Sequence, residues 1–215
     1  MASSLTSLLV HLDGTVRAEV RLELARQFAA QRAARVSALF AVVPRFLSIL
    51  PLAGGVPSVP TRGEVDPNHR MRAMDVFSGR PALILPYAGS ASVTPSTVLI
   101  AWKSTRECAR ALTAALPFLQ GATRVHLVDA DGDETQPTRG DVREYLRLHG
   151  IAKVKEHAKL SERRAGEDLL SCAADCGAEI MVMGCYGHSR ARELVLGGAT
   201  RTVLESMTLP VLMAH

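Results

Sequence analysis

Short apolar runs alternate with segments of helical period along this chain, most regularly after Thr97. Apolar runs at Val98–Trp102, Arg124–Asp129, Lys153–Ala158, Glu179–Met183 and Pro210–Ala214 predict five strands. Between them, Arg106–Leu119, Arg139–His149, Arg163–Cys176 and Ala199–Met207 predict four helices. Such alternation calls for a parallel sheet with helices on both faces and right-handed crossovers. The expected class is α/β: a doubly wound, flavodoxin- or Rossmann-like sheet of five parallel strands in the order 3-2-1-4-5.

A shorter version of the pattern precedes it. Leu8–Leu12 predicts a strand, Val16–Arg32 a helix and Val36–Val43 a second strand. The run G-R-P-A-L-I-L-P (Gly79 to Pro86) echoes T-L-P-V-L-M-A (Thr208 to Ala214) and reads as the last strand of a unit. Asp13 to Pro81 is about forty residues shorter than its counterpart Lys103 to Pro210. The intervening Pro44 to Pro67 is too rich in Pro and Gly for a long helix or a central strand. Gly54 and Gly55 lack a strand before them and a helix after. The expected organisation is a truncated copy over 1–95 and a complete copy over 96–215.

A half-unit needs a neighbour to complete its core. Ala82–Leu85 is expected antiparallel beside Val211–Ala214, because an unpaired apolar edge invites aggregation. Leu39, Ala41 and Val43 are expected to stay uncovered and to favour a homodimer, unless Phe46 to Pro60 covers them.

The chemistry concentrates in the tail. The apolar run Ile180–Met183 ends in Gly184; Gly187, Gly197 and Gly198 follow, and then a helix. A strand, a glycine-bearing loop and a helix start are the parts of an anion site. Glycines permit positive φ and close approach of backbone N–H groups, and the helix start adds its dipole. His188 and Arg190 lie inside the loop as charged donors, or as plain surface residues.

This tail resembles the universal stress protein family, whose nucleotide-binding members carry G-x2-G-x9-G-(S/T) here. Gly184, Gly187 and Gly197 match the glycines, and Gly198 stands at the Ser/Thr position. The resemblance implies ATP or ADP with its phosphates under the loop, and leaves an accompanying Mg2+ open. Thr200 is the nearest hydroxyl to stand in at the altered position. In a doubly wound sheet the ligand lies at the carboxyl ends of the strands. That gathers Ala101, Trp102 and Lys103, then Leu127 and Val128, then Met183, Gly184 and the loop through Gly198, Ala199 and Thr200. Leu127 and Val128 resemble the segment that meets adenine. Lys103 stands where the family has an Asp near the sugar, and a lysine accepts no hydrogen bond from ribose. Asp13 in the first copy keeps that Asp. The resemblance extends to tandem members with two fused domains, covering nearly everything except Arg45 to Ser78.

Composition adds boundaries. The 215 residues are 47% hydrophobic and only 4% aromatic, so the core is aliphatic. The net charge of +4 is scattered rather than blocked, which argues against nucleic acid as partner. No run reaches the ~18 apolar residues of a membrane span. The first residues lack a signal pattern, so a cytoplasmic location is expected. Cys108, Cys172, Cys176 and Cys185 have no zinc spacing and read as small buried thiols. Cys185, inside the glycine loop, is expected to be the most exposed of them. His126 and His157 read as structural histidines in strands. Asp131, Asp133 and Glu134 form an acidic loop cluster, solvated or metal-binding. No nucleophile elbow or Walker A sequence is present, so any ATP hydrolysis is expected to be slow. Three functions remain: a nucleotide-binding stress-response protein, a non-nucleotide interaction module of the same fold, and an ATP-using transferase. The last needs acidic metal ligands that the sequence does not place.

Overall fold

The computed structural model describes residues 7–12, 17–40, 81–86, 92, 94–129, 139–157, 160, 164–185 and 198–214. The chain divides into two units, one of residues 6–76 and one of residues 1–5 with 77–215.

In the smaller unit, β1 (Ser7–Leu12), α1 (Arg17–Arg32) and β2 (Arg35–Phe40) form a strand–helix–strand motif. The two strands are parallel, from Ser7 beside Arg35 to Leu12 beside Phe40. α1 buries Ala25, Phe28 and Ala29, one helical face at i, i+3 and i+4. It ends with Ala33 at φ +50° and a bond from Ala34 N to the Ala29 carbonyl, 3.0 Å. This is a Schellman-type end, in which glycine is the usual left-handed residue. Residues 41–80, including Ala41, Val43, Gly54 and Gly55, lie outside the described residues, as does the side chain of Leu39.

The larger unit contains β3 (Ala82–Ile84), β4 (Thr97–Trp102), α2 (Arg106–Leu119), β5 (Arg124–Asp129), α3 (Arg139–Leu148), β6 (Val154–Glu156), α4 (Ala165–Asp175), β7 (Ile180–Gly184), α5 (Gly198–Ser206) and β8 (Val211–Ala214). Its sheet runs β3-β8-β7-β4-β5-β6. β4 to β8 are parallel where they pair, and β3 is antiparallel on β8, with Leu83 beside Leu212. Counted from β4, the parallel strands stand in the order 3-2-1-4-5. β4, in the middle, is buried at all six positions because helices cover both faces. β6 is cut to three residues; as an edge strand it has one neighbour, and both lysines of this segment are exposed.

α2 begins with a capped turn. Thr105 Oγ1 accepts from Cys108 N at 3.2 Å. Cys108, Ala111, Leu112, Ala115 and Leu119 then form its buried stripe, which packs on β7 and β8. α4 and α5 cross where Gly166 meets Thr202; a Cβ on Gly166 would lie 2.6 Å from the Thr202 Cβ. α3 and α4 end in the same motif as α1, with Gly150 at φ +83° and Gly177 at φ +64°. The Ser96 hydroxyl and N–H both donate to the Glu179 carboxylate, tying the starts of β4 and β7 together.

Candidate functional site

The strand register gathers the predicted segments at one end of the sheet. Ala101 pairs with Val128 on one side and with Met183 on the other, so the three stand in a row across β5, β4 and β7. Lys103 follows β4 directly, and α2 starts three residues later. Ala101, Leu127, Val128 and Met183 are buried, so their side chains form the floor of this end and their backbone its edge.

Gly184 is placed differently from the sequence expectation. It is the last residue of β7, paired with Ala214, and not the first of a loop. Positive φ is not its role, since the positive-φ glycines among the described residues are Gly150 and Gly177. Its requirement is space: a Cβ there would lie 2.7 Å from Cys108 N and 3.1 Å from the Glu107 carbonyl carbon. The end of β7 thus rests on the first turn of α2. Gly187, His188, Arg190 and Gly197 lie outside the described residues, as do Asp131, Asp133 and Glu134.

Gly198 opens α5, and a Cβ there would meet no atom of the described residues within 4 Å. Ala199 follows, half-buried. Thr200 is buried on the same helix face as Val203 and Leu204, so its hydroxyl is carried on the packed side of α5. The Trp102 indole N–H is buried without a hydrogen-bond acceptor among the described residues. It borders a cavity of about 180 Å3 shared with Leu112 and Tyr145.

Two neighbours of this end were missed or misplaced by sequence. Glu107, in the first turn of α2, is buried and takes a 2.6 Å ion pair from Arg106. Burial pushes its carboxyl up, but the Arg106 hydrogen bond and a backbone N–H outweigh that, so its pKa is lowered and it stays charged. A Glu two residues past a capping Thr was its only sequence signal. Cys185 corrects an expectation outright: it is 1% exposed, the most buried thiol of the chain rather than the most open. Its N–H donates to the Ala214 carbonyl at 3.0 Å and its Sγ–H to the same oxygen at 3.0 Å, continuing the β7–β8 ladder past Gly184. Burial, reinforced by the Glu107 charge, pushes its thiol up to about 12. Cys172 and Cys176 are only half-buried, against the expectation of buried thiols.

Among the described residues no three His, Cys, Asp or Glu side chains gather to hold a metal ion, and no helix is long and apolar enough to cross a membrane.

Known proteins resemble the chain on several counts. A universal stress protein of Synechocystis sp. is 28% identical over 139 residues, which cover 62% of this chain and 46% of that protein. The chain therefore spans less than half the length of this curated relative. Among solved structures, a universal stress protein from Archaeoglobus fulgidus DSM 4304 superposes with a TM-score of 0.62 at 14% identity, covering 97% of this chain and 95% of that one. A functionally unknown protein from Pseudomonas aeruginosa PAO1 gives 0.53 at 16% identity, covering 96% and 80%. These structural likenesses establish the doubly wound α/β fold. The sequence model of the universal stress protein family matches residues 96–215, more than half of the chain, and the chain belongs to that family.

Proposed function

We propose that this chain binds an adenine nucleotide, ATP or ADP, at the carboxyl ends of β4, β5 and β7, and acts in stress response. The observation that carries this reading is the end of β7 against the first turn of α2, with α5 starting after the glycine loop that follows β7. Gly184 sits against the first turn of α2, and Gly198 opens α5 with no described residue within 4 Å of where its Cβ would stand. Helix starts carry unpaired N–H groups and positive potential, which suit phosphate. The family's three-glycine spacing spans the interval between them. The Trp102 indole N–H at the end of β4 is buried without an acceptor among the described residues. Any Mg2+ would be held through the nucleotide's phosphate oxygens.

We further read the chain as a tandem universal stress protein with a shortened first copy over 1–95. β1, α1 and β2 repeat the opening of the second copy, and β3 lies on β8 as a last strand would. Since β3 occupies the β8 edge, a homodimer would form elsewhere. Leu9, 50% exposed, and Val20, 43% exposed, supply apolar surface for it. A second reading, an interaction module without nucleotide, is favoured by the buried charged Glu107 next to the end of β7, which repels phosphate.

Purified protein analysed for co-purifying adenine nucleotide by absorbance and mass spectrometry separates the two readings. Gly198→Ser, restoring the family hydroxyl, should tighten ATP by roughly 0.5–1.5 kcal/mol, the net value of one hydrogen bond. Weaker binding in that variant would place this position away from the phosphates.

A further inference from the structure

The outer face of β5 and β6 gathers positive charge in a way that the nucleotide site does not use. Parallel pairing sets His126 beside Lys155. Alternation then puts Arg124 and His126 of β5 on the same face as Lys153, Lys155 and His157 along β6. The other face is different: it carries Val125 and Leu127, and Glu156, which pairs with Arg143 of α3 at 3.6 Å. On the basic face lies an open cleft of about 650 Å3, bordered by Arg124, His126, Lys153, Lys155 and the end of α4 at Asp175 and Cys176. It opens at the amino-terminal half of β5, whereas Val128 and the glycine loop belong to the carboxyl end.

The cleft is organised. Arg124 Nε donates to Thr97 Oγ1 at 3.1 Å, which ties its guanidinium to the start of β4. His126 Nδ1 and His157 Nε2 are 2.7 Å apart, with rings stacked at 5.0 Å between centroids. Lys153 and Lys155 are exposed and have no ion-pair partner among the described residues. Among the described residues that line it, the cleft sets one carboxylate, Asp175, against these cations. His126 is held below its ordinary value, first by burial and then by His157, Lys155 and Arg124.

We propose that this cleft is a second ligand site, for a small anion carrying two or more phosphate groups. Its volume suits a small molecule. An arginine tied at its Nε and two exposed ammonium groups bordering one cleft match the clustered oxygens of an oligophosphate. Such an anion comes either as free inorganic oligophosphate or as the phosphate tail of a nucleotide. The site is independent of the glycine loop, so it stands or falls separately from the proposed nucleotide site.

The test is calorimetry on the full chain with inorganic tripolyphosphate at low salt. Lys153→Glu with Lys155→Glu, both exposed on an edge strand, should weaken binding about tenfold or more, because two attractions become repulsions. Lys153→Gln with Lys155→Gln should weaken it less, and guards against a folding artefact of the charge reversal. The titrations are run in the Gly187→Val background, so that phosphate binding at the glycine loop does not mask the cleft. Displacement of tripolyphosphate by ATP in that loop variant identifies a nucleotide tail as the source; tripolyphosphate binding that ATP does not displace identifies free oligophosphate. No tripolyphosphate binding, or binding indifferent to both lysine pairs, overturns the proposal and leaves the lysines as guards of an exposed edge.

Discussion

Gly184 and Cys108 are in backbone contact: a Cβ on the glycine would lie 2.7 Å from Cys108 N and 3.1 Å from Cys108 Cα. The first glycine of the family motif therefore closes the joint between β7 and α2, whatever it contributes to a ligand.

That joint predicts an asymmetry between two glycines of one motif. Gly184→Ala should cost roughly 1–3 kcal/mol through overpacking against rigid backbone. Gly198→Ala, with no described residue within 4 Å of the added Cβ, should be neutral or slightly stabilising, since alanine favours a helix over glycine. Chemical denaturation of both variants checks this. Equal stability of Gly184→Ala and the unmodified chain would remove the packing role.

Thiol reactivity should follow burial. Cys185, its thiol pushed up to about 12, should resist alkylation at pH 8, as should the buried Cys108. Cys172 and Cys176, half-exposed, should react first. Intact mass and peptide mapping after a timed iodoacetamide pulse give the order. Early labelling of Cys185 would mean that the β7–β8 ladder opens there.

Acid should weaken the fold through His126. Its native pKa is lowered from 6.5, first by burial and then by His157, Lys155 and Arg124. Between the native value and 6.5 the unfolded chain binds more protons, so stability rises with pH there. The contribution is complete above about 6.5 and is lost as pH falls toward the native value. Melting temperature should drop from pH 7.5 to 5.5, and drop less in His126→Gln. Identical profiles for the two proteins would contradict this.

The end of α1 carries a correctable strain. Ala33 holds φ +50°, where α3 and α4 use Gly150 and Gly177. Ala33→Gly should stabilise this motif by about 0.5–1 kcal/mol, the left-handed penalty less the entropy cost of glycine. Hydrogen exchange at Ala34, whose N–H bonds the Ala29 carbonyl, reads it out. Faster exchange in the variant would count against the assigned strain.

Much of the larger unit was legible because its signals are local. T-V-L-I-A-W is apolar throughout, as a strand buried on both faces must be, and Thr105 marks the start of α2. Lys153–Ala158 was drawn too long, because an edge strand stops where its neighbour stops pairing, at Glu156 opposite Leu127. Cys185 looked like a loop residue because glycines flank it. Its burial depends on Ala214, twenty-nine residues on, which no local pattern reveals. The His126–His157 pair is set by the register of two strands and could not be seen in either alone. At the proposed site the row Val128, Ala101 and Met183 follows from topology, while Glu107 was missed because an acid in a first helical turn is ordinary.

The central claim is nucleotide binding at the glycine loop, and calorimetry of ATP against the full chain and its Gly187→Val variant tests it most directly. The account predicts saturable ATP binding to the unmodified chain. It also predicts a loss of about tenfold or more in the variant, because a branched side chain fills the anion's space and resists positive φ. Equal affinity in a variant with an unchanged melting curve, or no ATP binding by the unmodified chain, would contradict it.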